Sequence, residues 1–280
     1  MSSIRPQLKE QKKNVHPHPY CDWVKTSKRN APSKRTAWRS APLRRTVMTL
    51  GFTFLIMASL GSNGAQADEP ISQRQSFGGT VDFFATGASM AADTDSNNKV
   101  DTLAQPATVQ IAMTDLPSGA MLISAYLYWS GTIQDWGNCG SESNPPPSNI
   151  DDEVDFTPPG AGSPTSIVAD DCYCSGGDST SYDIQACRAD VTDVILTQGV
   201  SLWGQYTVDG FNARANDGAT DNASFSLILV YEEPSLAMRQ VILYDGVRTM
   251  HNSVENITLG GIEVDDPPGG SLTWYTLEGD

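Results

Sequence analysis

Apolar and polar residues alternate with a period of two along much of the chain. At that spacing successive strand side chains face opposite sides of a sheet. The strongest case is Phe-Ser-Leu-Ile-Leu-Val-Tyr-Glu-Glu-Pro at 225–234. Leu227, Leu229 and Tyr231 share one face, and Ser226, Ile228 and Val230 share the other. A strand apolar on both faces belongs inside a sheet rather than at its edge. Pro234 has no N–H to donate and ends the ladder. A second strong strand is expected at 121–129, with Met121, Ile123, Ala125, Leu127 and Trp129 on one face and Tyr126 and Tyr128 on the other.

Weaker alternation predicts strands at 77–86, 108–113, 153–157, 165–169, 205–208, 238–244, 254–259, 262–264 and 272–277. Gly78 and Gly79 mark a bulge or close backbone approach in the first of these. Val109, Ile111 and Met113 share a face in the second. The successive stretches 225–231 and 238–244 are expected to pair antiparallel. Helical spacing is confined to 188–198, where Val191, Val194 and Ile195 align, Asp190 can cap the start and Gly199 can end it. Polar, Gly-rich or Ser-rich connections fill 87–101, 133–152, 170–183 and 212–222. Many short strands, frequent turns and one short helix near 190–198 predict an all-β fold, an antiparallel, jelly-roll-like β-sandwich.

The N-terminus does not fit this pattern. Twelve of the eighteen Lys and Arg lie in residues 1–45, an apolar run follows at 47–60, and Ala65-Gln66-Ala67 is a small-x-small signature. A basic region, a short apolar run and such a site are the parts of a secretory signal peptide, here 1–67 with a long basic region. The run is shorter than the ~20 residues a membrane-spanning helix needs, so no stable span is expected after cleavage. A single β-sandwich domain is expected over 68–280. The predicted location is outside the cell, at its surface or in the periplasm. Residues 68–280 hold 31 Asp and Glu against six Lys and Arg. Their net charge is about −25 at pH 7. Such a surface repels nucleic acid and suits divalent cations.

Four cysteines remain beyond the leader: Cys139, Cys172, Cys174 and Cys187. In an exported chain they predict two disulfides. Cys172 and Cys174 are too close to bond each other, so one is expected to reach Cys139 and the other Cys187. The C-x-C spacing lacks the C-x₂-C of zinc ribbons.

The sharpest chemical pattern is Asp93-Thr-Asp-Ser-Asn-Asn-Lys-Val-Asp at 93–101. Asp93, Asp95, Asn97 and Asp101 offer oxygens at alternating positions, as a calcium loop does. Asn98 stands where such loops carry glycine, and Ala104 where an EF-hand needs its bidentate Glu, so the pattern is that of a shorter extracellular calcium loop. The acidic clusters Asp151-Asp152-Glu153, Asp170-Asp171 and Asp265-Asp266 are candidate carboxylate pairs for glycoside hydrolysis. With so many carboxylates, clusters of this kind also arise by chance. His251 is the sole histidine beyond the leader, and the chain has no G-x-S-x-G, H-E-x-x-H, P-loop or Rossmann glycine pattern. Trp136 and Trp203, in predicted loops, are the aromatic candidates for stacking on a sugar.

Five segments, Ala-Tyr-Leu-Tyr-Trp-Ser-Gly at 125–131, Arg-Ala-Asp-Val-Thr at 188–192, Gly-Gln-Tyr-Thr-Val at 204–208, 225–234 and 239–246, together resemble an uncharacterised domain of exported and cell-surface bacterial proteins. The resemblance spans 77–280. It implies a secreted or surface β-sandwich and no particular catalytic residue. The expectation is therefore a non-catalytic exported module, structural or adhesive, with an extracellular or cell-surface ligand such as a polysaccharide. Two alternatives are a calcium-assisted carbohydrate-binding module and a secreted hydrolase using paired carboxylates.

Overall fold

The computed structural model describes residues 70–133, 150–176, 183–216, 221–248, 256–263 and 269–276, with the backbone of 66–67. The elements run β1 (Gln66–Ala67), β2 (Ser72–Gly79), β3 (Val81–Ser89), β4 (Ala91–Ala92), β5 (Thr102–Leu103), β6 (Ala107–Ile111), β7 (Met121–Thr132), β8 (Glu153–Thr157), β9 (Thr165–Val168), β10 (Asp171–Gly176), β11 (Asp183–Asp190), α1 (Thr192–Gln198), β12 (Gly204–Asp209), β13 (Ala223–Glu232) and β14 (Arg239–Asp245). A six-stranded sheet, β1-β10-β11-β7-β13-β3, faces a four-stranded sheet, β6-β12-β8-β9, and none of the sheets closes into a barrel. This is the all-β sandwich that the alternation predicts. Residues 269–274 belong to a separate compact unit, where they are exposed and form neither strand nor helix.

The central strand behaves as its sequence requires. β13 lies between β7 and β3, antiparallel to both. Phe225, Leu227, Leu229 and Tyr231 enter the main core with Ala125, Leu127 and Trp129 of β7 and with Phe156, Tyr206 and Val208 of the facing sheet. Leu227 and Leu229 are fully buried. Each such side chain contributes about 1.5–3 kcal/mol relative to leaving it exposed. Val230 and Ile228, on the opposite face, join a smaller cluster with Tyr126, Tyr128, Phe83, Phe77 and Leu243. That second cluster places the β2/β14 ribbon on the back of the six-stranded sheet, which is why β13 is apolar on both sides.

Several expectations are corrected. The stretch at 77–86 is two strands, because Gly79 takes φ +136°, a backbone conformation closed to most side chains. β2 therefore leaves the line of β3 and pairs with β14. For the same reason 238–244 pairs with β2 and not with 225–231, whose two edges β7 and β3 already occupy. A register shift between Val230 and Tyr231 puts Tyr231 opposite Leu122. Alternation in β7 flips there: Leu122 packs against the core, and Met121, predicted inside, is exposed. Met113 is exposed because β6 ends at Ile111, where Asp115 Oδ2 accepts the Ala112 N–H.

The cysteine-rich connection at 170–183 contains a strand, β10, which pairs along its length with β11. Residues 188–190 extend β11, so the helix is shorter than predicted. Polar residues concealed both strands, since buried Ser175 in β10 and buried Asp183, Gln185 and Arg188 in β11 hold positions that a hydrophobic pattern assigns to solvent. Asp190 Oδ1 accepts the N–H of Thr192. Gly199 follows the helix in extended conformation, its N–H bonded to Ile195 O. In the predicted strands at 254–259, 262–264 and 272–277, the described residues form no ladder. Residues 256–263 are held by side chains instead: Gln240 Nε2 donates to Gly261 O, Glu263 N donates to Gln240 Oε1, and the Tyr244 hydroxyl donates to Gly260 O.

Candidate functional site

The acidic loop 93–101 closes the short β4/β5 pair, in which Ala91 faces Leu103 and Ala92 faces Thr102. Its carboxylates organise its own backbone. Asp93 Oδ1 accepts the Ser96 N–H at 2.6 Å and Asp93 Oδ2 the Asn98 N–H at 2.8 Å. Asp101 Oδ2 accepts both the N–H and the hydroxyl of Thr94 at 2.6 Å. Ser96 and Asn98 adopt φ of 66° and 64°. Asn98 thus takes the left-handed conformation that asparagine tolerates well. Burial pushes the Asp93 carboxyl up, but the N–H groups of Asn98, Ser96 and Asn97 outweigh it and hold the group below its ordinary value. The Thr94 hydroxyl, then its N–H, does the same for Asp101.

One oxygen from each of Asp93, Asp95 and Asp101 lies within 4.8 Å of the other two. Hard carboxylate oxygens in this arrangement suit calcium, with remaining positions left to water or carbonyl oxygens. Asn97 bonds within the same loop. Its Oδ1 accepts the Lys99 N–H at 2.9 Å, and its Nδ2 donates to Asp95 Oδ2 at 3.2 Å. The fold therefore gathers the three predicted aspartates, and Asn97 lies in the same loop, bonded to Lys99 and Asp95.

Trp203 lies just before β12, partly buried against the main core. It lines an open notch of about 300 Å³ with Gln110, Ile111, Ala112, Met113, Ser201 and Gly204. Its Nε1 is shielded from water and has no hydrogen-bond partner among the described residues. An unsatisfied buried N–H costs about 1–3 kcal/mol. The other aromatic candidate, Trp136, lies outside the described residues, as do Cys139, His251 and Asp265-Asp266.

Cys172 and Cys187, directly opposite in β10 and β11, form a disulfide. Cys174 is disulfide-bonded as well. Next to this bridge lies a cluster that the hydrophobic pattern missed. Arg188, 1 % exposed, reaches Asp170 Oδ2 at 3.1 Å, Asp171 Oδ2 at 2.5 Å and Asp245 Oδ2 at 2.9 Å. The Nε–H is not well aligned on Asp245, so that contact is an ion pair rather than a good hydrogen bond. The hydroxyls of Tyr128 and Tyr173 donate to Asp245 at 3.4 and 3.3 Å.

Burial pushes the Asp245 carboxyl above its ordinary value, with Arg188 opposing. Burial and then Asp245 raise the Tyr173 phenol to about 12 and the Tyr128 phenol further. Burial alone would lower the Arg188 guanidinium, but Asp245, Tyr128 and Asp171 hold it above its usual value. The cluster ties β11 of the six-stranded sheet to β14 of the ribbon. The signal in the sequence was scarcity: an arginine set in an alternating stretch, where residues 68–280 carry six Lys and Arg in all, needs carboxylates beside it.

The remaining described acidic cluster serves the core. The carbonyl of Asp151 accepts the indole N–H of Trp129 at 3.0 Å and the amide of Gln185 at 2.9 Å. Its carboxylate accepts the Asn212 N–H at 2.5 Å. Burial raises the Asp151 carboxyl despite that bond. Among the described residues no helix is long and apolar enough to cross a membrane. No protein family, curated protein or solved structure matches the chain.

Proposed function

We propose that the chain is a non-catalytic exported module, structural or adhesive, acting at or outside the cell surface. The observation that carries this reading is the Cys172–Cys187 disulfide bridging paired strands of the six-stranded sheet. Disulfides persist in oxidising compartments and are rare in the cytosol. The Arg188 cluster adds support, since its ionisable groups are engaged in joining two layers. Fractionation of cells making the tagged chain tests the proposal. Recovery outside the cytoplasmic membrane with Cys172 and Cys187 oxidised supports it. Retention in the cytosol with both thiols free refutes it. Polysaccharide turnover that disappears when Asp170 and Asp171 are both changed to Asn would replace it with a carboxylate-dependent hydrolase.

A second reading, a calcium-assisted carbohydrate-binding module, is favoured by the convergence of Asp93, Asp95 and Asp101. Calorimetric titration with calcium tests it. Saturable heat in the native chain, absent from Asp93→Asn, supports a metal site. No heat and unchanged melting with chelator rejects it.

A further inference from the structure

The small-x-small signature Ala65-Gln66-Ala67 and the six-stranded sheet share a strand. β1 runs parallel to β10, with Gln66 opposite Tyr173 and Ala67 opposite Cys174. β11 takes the other edge of β10, so β1 closes the outer edge of the sheet. An edge of this kind presents backbone N–H and C=O groups to any extended chain beside it. The chain just after the signature is held there. Four residues separate Ala67 from Ser72, where β2 begins, and Arg74 of β2 reaches Asp171 of β10 at 3.6 Å. So short a tether gives residues 66–67 a high effective concentration at β10. The acceptor is itself fixed, since Cys174 is buried and disulfide-bonded and Cys172 is bridged to Cys187.

This pairing conflicts with processing. Cleavage at the signature is hydrolysis of the Ala67–Asp68 peptide bond: water adds its hydroxyl to the Ala67 carbonyl carbon and its proton to the Asp68 nitrogen. A protease takes such a site as an extended chain and binds it through main-chain groups, as a neighbouring strand does. A backbone lying on β10 cannot enter a cleft that must enclose it. Cleavage of the folded chain therefore waits for β1 to lift away, and its rate follows the fraction of chains in which β1 is open. Before β10 forms, nothing competes for the site.

We infer that β1 sets the order of maturation: cleavage after Ala67 precedes closure of the sheet at β10, and a chain that folds first shields its own processing site. The inference rests on the exported-module reading above and gives that reading a sequence of events.

The test uses the full chain and purified signal peptidase. In one arm the protease is present as the unfolded chain is diluted from urea into reducing buffer. In the other it is added after the chain has refolded with Cys172 and Cys187 oxidised. Mass spectrometry of the new N-terminus at Asp68 reads the rate. Cleavage about tenfold or more slower in the refolded chain is the expected result, the effect of one or two main-chain hydrogen bonds. Gln66→Pro removes an N–H and fixes a φ unsuited to a parallel strand, while Ala65 and Ala67 stay in place. That variant is expected to be cut equally fast in both arms. Amide exchange at Tyr173 or Cys174 should also be faster in refolded Gln66→Pro than in the native chain. Equal rates in the two arms for the native chain overturn the inference. Shielding that persists in Gln66→Pro, or exchange at both residues that the substitution leaves unchanged, overturns it as well. Failure of the exported-module reading looks different. An unfolded chain that is never cut after Ala67 refutes the leader and the inference together, whereas a leader cut equally in both arms stands while the inference falls.

Discussion

Removing the guanidinium at Arg188 probes the join between ribbon and sheet. In Arg188→Met the apolar stem is kept while the charge at the centre of three carboxylates is lost. Asp170 and Asp171 are 46 % and 38 % exposed and can turn to water, but Asp245 is 7 % exposed and cannot. Breaking a buried pair from one side costs about 3–5 kcal/mol, because the remaining charge is left uncompensated. The cost should depend on pH. The folded-state pKa of Asp245 is already raised, first by burial, and loss of Arg188 raises it further. A carboxyl with a raised folded pKa binds its proton more tightly when folded, so its contribution to stability grows as pH falls and is lost as pH rises through that pKa.

Urea unfolding of the oxidised chain, followed by tryptophan fluorescence, should therefore show the largest penalty near pH 7.5. The penalty should shrink toward pH 5, by up to about 1.4 kcal/mol per pH unit across the range where Asp245 titrates in the variant alone. Arg188→Met combined with Asp245→Leu should cost less than Arg188→Met, since no buried charge remains. A single-variant penalty below about 1 kcal/mol, or one identical at both pH values, would refute the view that a buried ion pair joins these layers.

Further expectations concern other parts of the fold. Replacing Cys172 and Cys187 together with Ala should lower stability by about 3 kcal/mol, the chain-entropy value for a closed loop of roughly 15 residues; denaturant midpoints measure it. Alkylation of the unfolded, unreduced chain should leave Cys172, Cys174 and Cys187 unlabelled, which peptide mapping reads directly. Gly87→Ala would bring a Cβ to 2.3 Å from the Phe225 carbonyl oxygen across the β3/β13 ladder. Overpacking of this kind costs about 1–3 kcal/mol, and thermal unfolding would show it. Calcium at a hundredfold excess over its dissociation constant should raise the melting temperature by about 5 °C or more, and Asp101→Asn should remove that rise. In acid the loop should loosen: the depressed pKa values of Asp93 and Asp101 mean that their contribution is lost as pH falls from the ordinary carboxylate value through the folded one. Faster amide exchange at Thr94 and Ser96 would register it.

What the sequence determines by itself is what local chemistry determines. Alternation in 225–231 and in 125–129 specifies which side chains enter which core, because the period of two leaves a strand no other way to sort its faces. The oxygen spacing in 93–101 was legible for a similar reason: the loop folds on its own hydrogen bonds, with Asp93 and Asp101 bonding residues no more than seven positions away. The Cys172–Cys187 bridge was legible as one of few options.

Pairing was decided by tertiary structure alone. That Arg239–Asp245 pairs with Ser72–Gly79 follows from a backbone turn at Gly79 and from edges of β13 already taken, facts about distant parts of the chain. Strand β11 carries polar residues inside because their partners satisfy them: Asp151 for Gln185, and Asp170, Asp171 and Asp245 for Arg188. A hydrophobic pattern records which groups avoid water. It does not record which polar group finds a buried partner 57 residues further on, as Arg188 finds Asp245, and that partnership is settled only when the layers meet.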